Sequence, residues 1–453
     1  MTAAHTSGRT DRTDESGASA GHAGPAEDDG RRLGWLDALR GFAALTVVWF
    51  HLSPLLLGAQ RHLEIRRYID LGKYGVLLFF LVSGYVIPMS LERHGCLRRF
   101  WIGRLCRIYP AYLATIALVG LLALAGWATW QESFTTQTLA AVLGHATMMT
   151  DLLGLHGALR VFWTLSYEMT FYLVVAGLFA WRLHRRSAWW AAALALIALL
   201  AGPLLPDDLL AGTNTGRRIT AVAVALLLAL SILAYLSERL VLVAGTTGLG
   251  FLLLPALDGH PTRDSTAVAS WQGLLFIAVM FAGTVVYRTH SGQLGRLPAA
   301  ISLTVVTLSV IGAHWTYLNN HRVWPATVAA VTATFLTAYA LKNRPVPAAL
   351  TWLGRISYSL YLLHAVVLIL ISRIVPDLAS RTPAVRLAAG LTYLAVVLAL
   401  AWLTYRMVEL PGQALGRRLT ARLAPTAHLP PPSVPHPARG GARTSARASR
   451  LDT

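Results

Sequence analysis

Three ionisable residues stand in one otherwise apolar stretch between Trp35 and His51: Asp37, Arg40 and His51 itself. An ionisable group in hydrocarbon costs about 2.5–3.5 kcal/mol even on mild scales, so such groups are usually kept for a task. Eleven steps of about 100° separate Arg40 from His51, which is three turns plus roughly 20°, so the two share a helix face. Asp37 lies within about 40–60° of the same stripe. His51 sits roughly 16 Å along the axis from Arg40. With Arg40 at one interface of a core about 30 Å thick, His51 falls near the mid-plane, where reagents from both sides could meet. The competing reading is a structural salt link plus a hydrogen-bonded core histidine.

Three further groups carry chemistry. Between Leu91 and Pro110, Arg98, Arg99, Arg104 and Arg107 are interleaved with Phe100, Trp101 and Tyr109. Guanidinium forks pair with phosphate oxygens, and aromatic faces stack on bases, so a ligand with several phosphates and an adenine suits this run. Read plainly, it is a topology anchor. Thr164, Glu168 and Tyr172 form an i, i+4, i+8 polar stripe, beside Trp163 and Tyr167. A buried Glu168 needs a partner, for which Arg40 and His51 are candidates. Ser357, Tyr361 and His364 share a face at i, i+4, i+7, either as interhelical hydrogen-bond glue or as part of a substrate site. Glu409 is read as a cap or pair at a helix end.

The elements that must position these groups are membrane helices. The chain is 55% hydrophobic and 13% charged, with a mean hydropathy of +0.53, whereas soluble domains carry about 25% charged residues. Twelve apolar segments are long enough to span: 36–57, 74–91, 105–127, 162–181, 187–205, 218–236, 239–256, 270–287, 298–315, 323–341, 352–374 and 386–407. The boundaries near 187–256 run together, so ten or eleven crossings also fit. The fold class is therefore all-α, a polytopic bundle of about 10–12 transmembrane helices. Short basic loops at 92–104, 182–186, 237–239, 288–297 and 342–347 place both termini in the cytoplasm of a cell membrane. The net charge of +18 sits in those loops and a polar tail, which excludes a nucleic-acid partner. The two cysteines, Cys96 and Cys106, form no disulfide framework, and no metal-ligand spacing is present.

Residues 1–34 read as a disordered cytoplasmic tail, 35–412 as the membrane domain, and 413–453 as a basic, Pro- and Arg-rich cytoplasmic tail. The connection 131–161 is longer and more polar than the others and holds His145, Asp151 and His156. It is either a re-entrant lid or an ordinary amphipathic loop helix.

From Trp35 to Pro411 the chain resembles the acyltransferase 3 family of polytopic membrane acyltransferases. The likeness is carried by Leu36-Asp-Ala-Leu-Arg-Gly41 with His51, Tyr74 to Tyr85, Arg98 to Pro110, Phe162-Trp-Thr-Leu-Ser-Tyr-Glu168, Ile356 to His364, and Glu409-x-Pro411, in that order. The family usually has about ten core helices. The resemblance implies transfer of an acyl group, commonly acetyl, from acyl-CoA to a hydroxyl. The acceptor is an envelope glycan, a lipid-linked sugar or a glycosylated small molecule such as a macrolide. It also implies that the Arg-x10-His pair, here Arg40 and His51, is the functional signature, and that Arg98, Arg99, Arg104 and Arg107 meet the CoA phosphates. On this reading His51 is the general base on the acceptor hydroxyl. Arg40 orients the thioester or stabilises the oxyanion, and Asp37 or Glu168 holds Arg40 and sets the His51 tautomer. Ser83, Trp163, Tyr167, Tyr361 and His364 line the substrate site. An acyl-enzyme on Ser83 is the alternative to direct transfer. Acyl-CoA is thus a co-substrate, no metal is needed, and the partners are the donor, the acceptor and the lipid bilayer.

Buried His, Glu and Arg in a helix bundle also mark proton-coupled transporters. A transporter of that kind should repeat its halves, and the Arg/His helix has no counterpart around 220–250.

Overall fold

A computed structural model describes residues 25–260 and 269–423, with the side chains of 25–33 left out. Among these residues there is no β-strand. The helices in chain order are α1 (Pro25–Leu57), α2 (Ala59–Arg66), α3 (Leu71–His94), α4 (Leu97–Leu124), α5 (Glu132–Thr136), α6 (Thr138–Thr147), α7 (Trp163–Ala180), α8 (Ser187–Leu200), α9 (Asn214–Ser237), α10 (Val241–Gly250), α11 (Leu253–Leu257), α12 (Ser270–His290), α13 (Arg296–Leu318), α14 (Val323–Ala340), α15 (Ala348–Ile374), α16 (Pro383–Thr404) and α17 (Leu410–Arg422). Ten of the described helical segments are long and apolar enough to cross a membrane, so the chain is an all-α, multi-pass membrane bundle. Two shorter segments, α8 and α10–α11, run between the same two faces. Arg98 and Glu238 pair at one face, where α9 ends. Asp258, just after α11, accepts from the Leu210 and Ala211 amides at the other.

Here the near face is the one at which α1 enters at Gly34, and the far face the one at which it ends at Leu57. Burial sorts the helices into layers. The most apolar windows of α7 and α12 are 94% buried inside the protein, against 17% for the segment from Pro383 and 28% for α9. The first two are therefore the core, and the others turn their leucines to lipid, which is as apolar as they are.

Small residues let the backbones meet where chemistry is carried. A Cβ on Gly84 of α3 would lie 1.7 Å from the Met280 carbonyl oxygen of α12. On the other side of the core, a Cβ on Gly41 would lie 2.7 Å from the Leu353 Cβ, and one on Gly354 2.1 Å from the Asp37 carbonyl oxygen. Helix α1 is thus pressed against α15, with Arg40 and His51 held beside Ser357, Tyr361 and His364.

The boundaries differ from the sequence reading in instructive ways. The Arg-rich run after Gly95 is helical from Leu97, not a loop, because arginine and aliphatic residues propagate a helix once Gly95 (φ 62°) has ended α3. The first span starts at Gly34. That puts Arg40 about 9 Å inside the near end and His51 about 9 Å from the far end, so His51 lies in the far third rather than at the mid-plane. Helix α1 begins at Pro25 and α17 continues to Arg422, so helix reaches into both stretches read as tails. Residues 1–24 and 424–453 lie outside the described residues. The 131–161 connection folds as α5, α6 and two short turns, with α6 packed on α9.

Candidate active site

A cavity of about 80 Å³ opens among α1, α3, α4, α7 and α15, roomy enough for several waters. Arg40, Arg104 and Arg107 line it opposite Glu168. The predicted stripe Thr164, Glu168, Tyr172 faces it along its whole length, as do Ser83, Ser357 and Tyr361. Glu168 Oε1 accepts from the Tyr172 hydroxyl at 2.6 Å and from Ser83 Oγ at 3.4 Å. The Arg104 guanidinium lies 5.4 Å from the Tyr172 ring and 5.5 Å from the Phe100 ring, so aromatic faces rather than water surround this buried cation. Arg40 lies in the field of Asp37, Glu168 and two arginines, and is in none of the direct ion pairs found among the described residues. Asp37 lies in the field of Arg40, Arg107 and Arg355. A cavity inside the bundle with three guanidinium groups and one carboxylate is suited to stabilise negative charge that develops on a reacting oxygen.

The four arginines read as one cluster divide. Steps of 100° put Arg104 and Arg107 about 60° apart on one face of α4 and turn Arg98 and Arg99 elsewhere. Arg98 donates to the Leu236 carbonyl oxygen at 2.6 Å and pairs with Glu238 at 3.4 Å. Arg99 is exposed at the near face.

His51 does not line the Arg40 cavity. Its ring packs on His364 at 5.1 Å between centroids, and His364 packs on Tyr361 at 5.8 Å. Tyr361 therefore connects the two places. Its hydroxyl donates to the Val161 carbonyl oxygen at 2.8 Å and accepts from Thr164 Oγ1 at 2.9 Å. The network also assigns the tautomers. His364 Nδ1 is 2.6 Å from the Tyr361 carbonyl oxygen and must donate to it, which leaves His364 Nε2 as an acceptor. His51 Nδ1 is 2.9 Å from the Val47 carbonyl oxygen and 3.4 Å from His364 Nε2. Two acceptors around one nitrogen require Nδ1–H, so the free lone pair of His51 is on Nε2. Val47 and His364, not Asp37 or Glu168, set this tautomer. The correction is physical: the partners within reach of His51 Nδ1 are the Val47 carbonyl oxygen and His364 Nε2, whereas Glu168 is engaged by Tyr172 and Ser83.

At the far face a basin of about 500 Å³ is walled by Glu132, Asp151, Arg160, Asp208, Arg217 and His260, with Trp163 among its lining. Trp163 and Thr164 are neighbours in sequence, so the first turn of α7 separates this basin from the Arg40 cavity. Lys73, at the start of α3, lies 4.8 Å from the Trp163 ring and 5.0 Å from the Phe276 ring. Asp151 accepts from the buried Tyr167 hydroxyl, and burial pushes its carboxyl up to about 6 against the pull of His260 and Lys73. His260 Nδ1 donates to Asp208. His145 is spent on structure: Nδ1 donates to the Ala141 carbonyl oxygen at 2.7 Å and Nε2 accepts from the Ala158 amide at 2.9 Å. Glu409 likewise accepts from Ser359 N and Oγ, turned inward by a π-helical turn at Tyr405–Glu409.

Sequence reasoning missed Lys73, Asp208 and His260. Lys73 had a signal, being one of two lysines in a chain that otherwise uses arginine. The other two lie on connections that no spacing links. Among the described residues no group of three or more His, Cys, Asp or Glu is placed to hold a metal ion.

Comparison with known proteins is consistent with this geometry. A family model described as an acyltransferase domain matches residues 33–406. The chain is 29% identical over 197 residues to acyltransferase MdmB of Streptomyces mycarofaciens, covering 41% of this chain and 49% of that protein. It is 32% identical over 174 residues to nodulation protein 10 of Rhizobium leguminosarum bv. viciae, covering 33% and 46%. It is 26% identical over 310 residues to YrhL of Bacillus subtilis, whose name assigns it to peptidoglycan O-acetylation, covering 59% and 45%. The matches thus span about half the length of each of these relatives. No solved structure matches the chain.

Proposed function

The chain belongs to the acyltransferase family matched over residues 33–406, and from that premise we propose that it moves a short acyl group, such as acetyl, from acyl-CoA to a hydroxyl of a sugar-containing acceptor. The observation that carries this reading is the Arg40, Arg104, Arg107 and Glu168 cavity, a cationic pocket of acyl size inside a membrane bundle. The names of YrhL and MdmB support acyl transfer in such bundles. The near face is the cytoplasmic one, by its basic loops, so the donor enters there. Its thioester end fits the cavity, whereas the nucleotide stays outside, within reach of the exposed Arg99.

In this mechanism the acceptor oxygen attacks the thioester carbonyl carbon while its proton passes to His51 Nε2. The carbonyl oxygen becomes an oxyanion, while Arg40, about three helical turns nearer the donor face, and Arg104 hold the thioester arm and lend positive potential rather than a direct hydrogen bond. Collapse breaks the C–S bond, the thiolate takes the proton from His51, and the ester and free CoA leave. Ser83, hydrogen-bonded to Glu168 with no imidazole beside it, orients rather than attacks. Tyr361 stands between the cavity and His364, so bringing the acyl group to His51 requires its ring to move.

Turnover of labelled acetyl-CoA by purified protein tests this. Wild type should release CoA, His51→Ala should lose roughly 10²–10⁴-fold, and Arg104→Ala should chiefly raise the KM for acetyl-CoA. Equal rates for wild type and His51→Ala would remove the general-base role.

A further inference from the structure

The Arg40 cavity, at about 80 Å³, cannot hold both an acyl thioester and a sugar. The far-face basin, at about 500 Å³, is within the range of small-molecule sites, and only the first turn of α7 parts it from the acyl cavity. Thr164 of that turn lines one and Trp163 the other. Arg160 of the basin wall acts electrostatically on the His51 ring.

The wall chemistry narrows the ligand. Acidic and basic groups are nearly balanced, with Glu132, Asp151 and Asp208 against Arg160, Arg217 and the two histidines His156 and His260. Several are already engaged. Arg217 donates from Nε to the Leu153 carbonyl oxygen at 2.9 Å and from a terminal nitrogen to Asn214 Oδ1 at 3.3 Å, and His260 is bound to Asp208. A phosphate or polyanion would need net positive charge here, and an amine would need net negative charge; a balanced wall favours neither. Alternating donors and acceptors do match a ligand whose hydroxyls both give and take hydrogen bonds. Trp163, with the Lys73 ammonium 4.8 Å from its ring centroid, adds the part of its apolar surface that lines the basin for the C–H face of a ring. It is held by Phe80, Tyr167 and Phe276, at centroid distances of 6.3, 5.8 and 5.5 Å, so it is rigid before a ligand arrives.

We infer that the far-face basin is the acceptor site, built for an uncharged mono- or disaccharide unit stacked on Trp163 and hydrogen-bonded by Asp151 and Arg160. This rests on the acyl-transfer reading for its purpose, but not for its test.

Saturation-transfer NMR on full-length protein in nanodiscs, without donor, measures binding of methyl glucoside, methyl maltoside, glucose 6-phosphate and glucosamine. Neutral glycosides should bind at least tenfold more tightly than the phosphate or the amine. Trp163→Ala should weaken them by tenfold or more. Asp151→Asn and Arg160→Gln, which leave the aromatic cluster in place, should each weaken them severalfold. No neutral-glycoside binding, tighter binding of either charged sugar, or affinities unchanged in Asp151→Asn and Arg160→Gln would each overturn the assignment. Loss of acetyl-CoA turnover in wild type would instead count against the acyl-transfer reading and leave these binding results standing.

Discussion

Gly354→Ala is a one-carbon change that should silence the proposed acyl transfer from a position outside the proposed substrate sites. The new Cβ would sit 2.1 Å from the Asp37 carbonyl oxygen and 2.5 Å from its carbon. Close carbon–oxygen contacts in proteins begin near 3.3 Å, and the obstacle is backbone, which cannot rotate away. Helix α15 must therefore retreat from α1 by roughly 1 Å. The contact between His51 Nδ1 and His364 Nε2, now 3.4 Å, would open to about 4.4 Å, beyond hydrogen bonding. A 1 Å misplacement of a reacting group costs on the order of 10²-fold in rate, and overpacking costs about 1–3 kcal/mol of stability. The assay is acetyl-CoA turnover and thermal unfolding of the detergent-solubilised variant. Gly103→Ala is the control, because a Cβ there meets nothing within 4 Å and should be neutral or slightly stabilising. Wild-type turnover and an unchanged Tm for Gly354→Ala would refute the claim that α1 and α15 are pressed together to align the histidines.

Other outcomes follow from the same contacts. Tyr361→Phe strips the hydroxyl that bonds Val161 and Thr164, a loss of about 1 kcal/mol, and should raise the ratio of acetyl-CoA hydrolysis to transfer as the partition loosens. Asp151 is held in a raised state near 6, so the folded protein binds its proton more tightly than the unfolded chain does. Its stabilising contribution is full below about 4 and is lost as pH rises through about 6. Asp151→Asn should therefore flatten the decline in Tm measured between pH 4.5 and 7.5. Arg288 is fully buried and paired with Glu92, so Glu92→Gln, which strands that charge, should cost about 3–5 kcal/mol in chemical unfolding.

The membrane helices were legible because hydrocarbon demands long apolar runs: the expected 74–91, 162–181 and 270–287 differ from the observed spans by only a few residues at each end. The stripe Thr164, Glu168, Tyr172 was legible because 100° steps fix a helix face. Spacing failed where direction depends on a neighbouring helix. Arg40 and His51 share a face of α1, but the packing of α15 gives one to the cavity and the other to His364. The arginines of α4 look like one cluster in sequence, yet the helix scatters them and Glu238 captures Arg98. The far-face basin gathers residues from 132 to 260 through connections with no periodicity, so nothing short of tertiary structure assembles it.

The central claim is that donor and acceptor meet inside the bundle from opposite faces. The most direct measurement uses sealed proteoliposomes of known protein orientation, with labelled acetyl-CoA confined to the near face and methyl maltoside to the far face. The account predicts labelled ester on the far side, free CoA on the near side, and neither product with His51→Ala. Ester formed only when both reagents are on one side would contradict it.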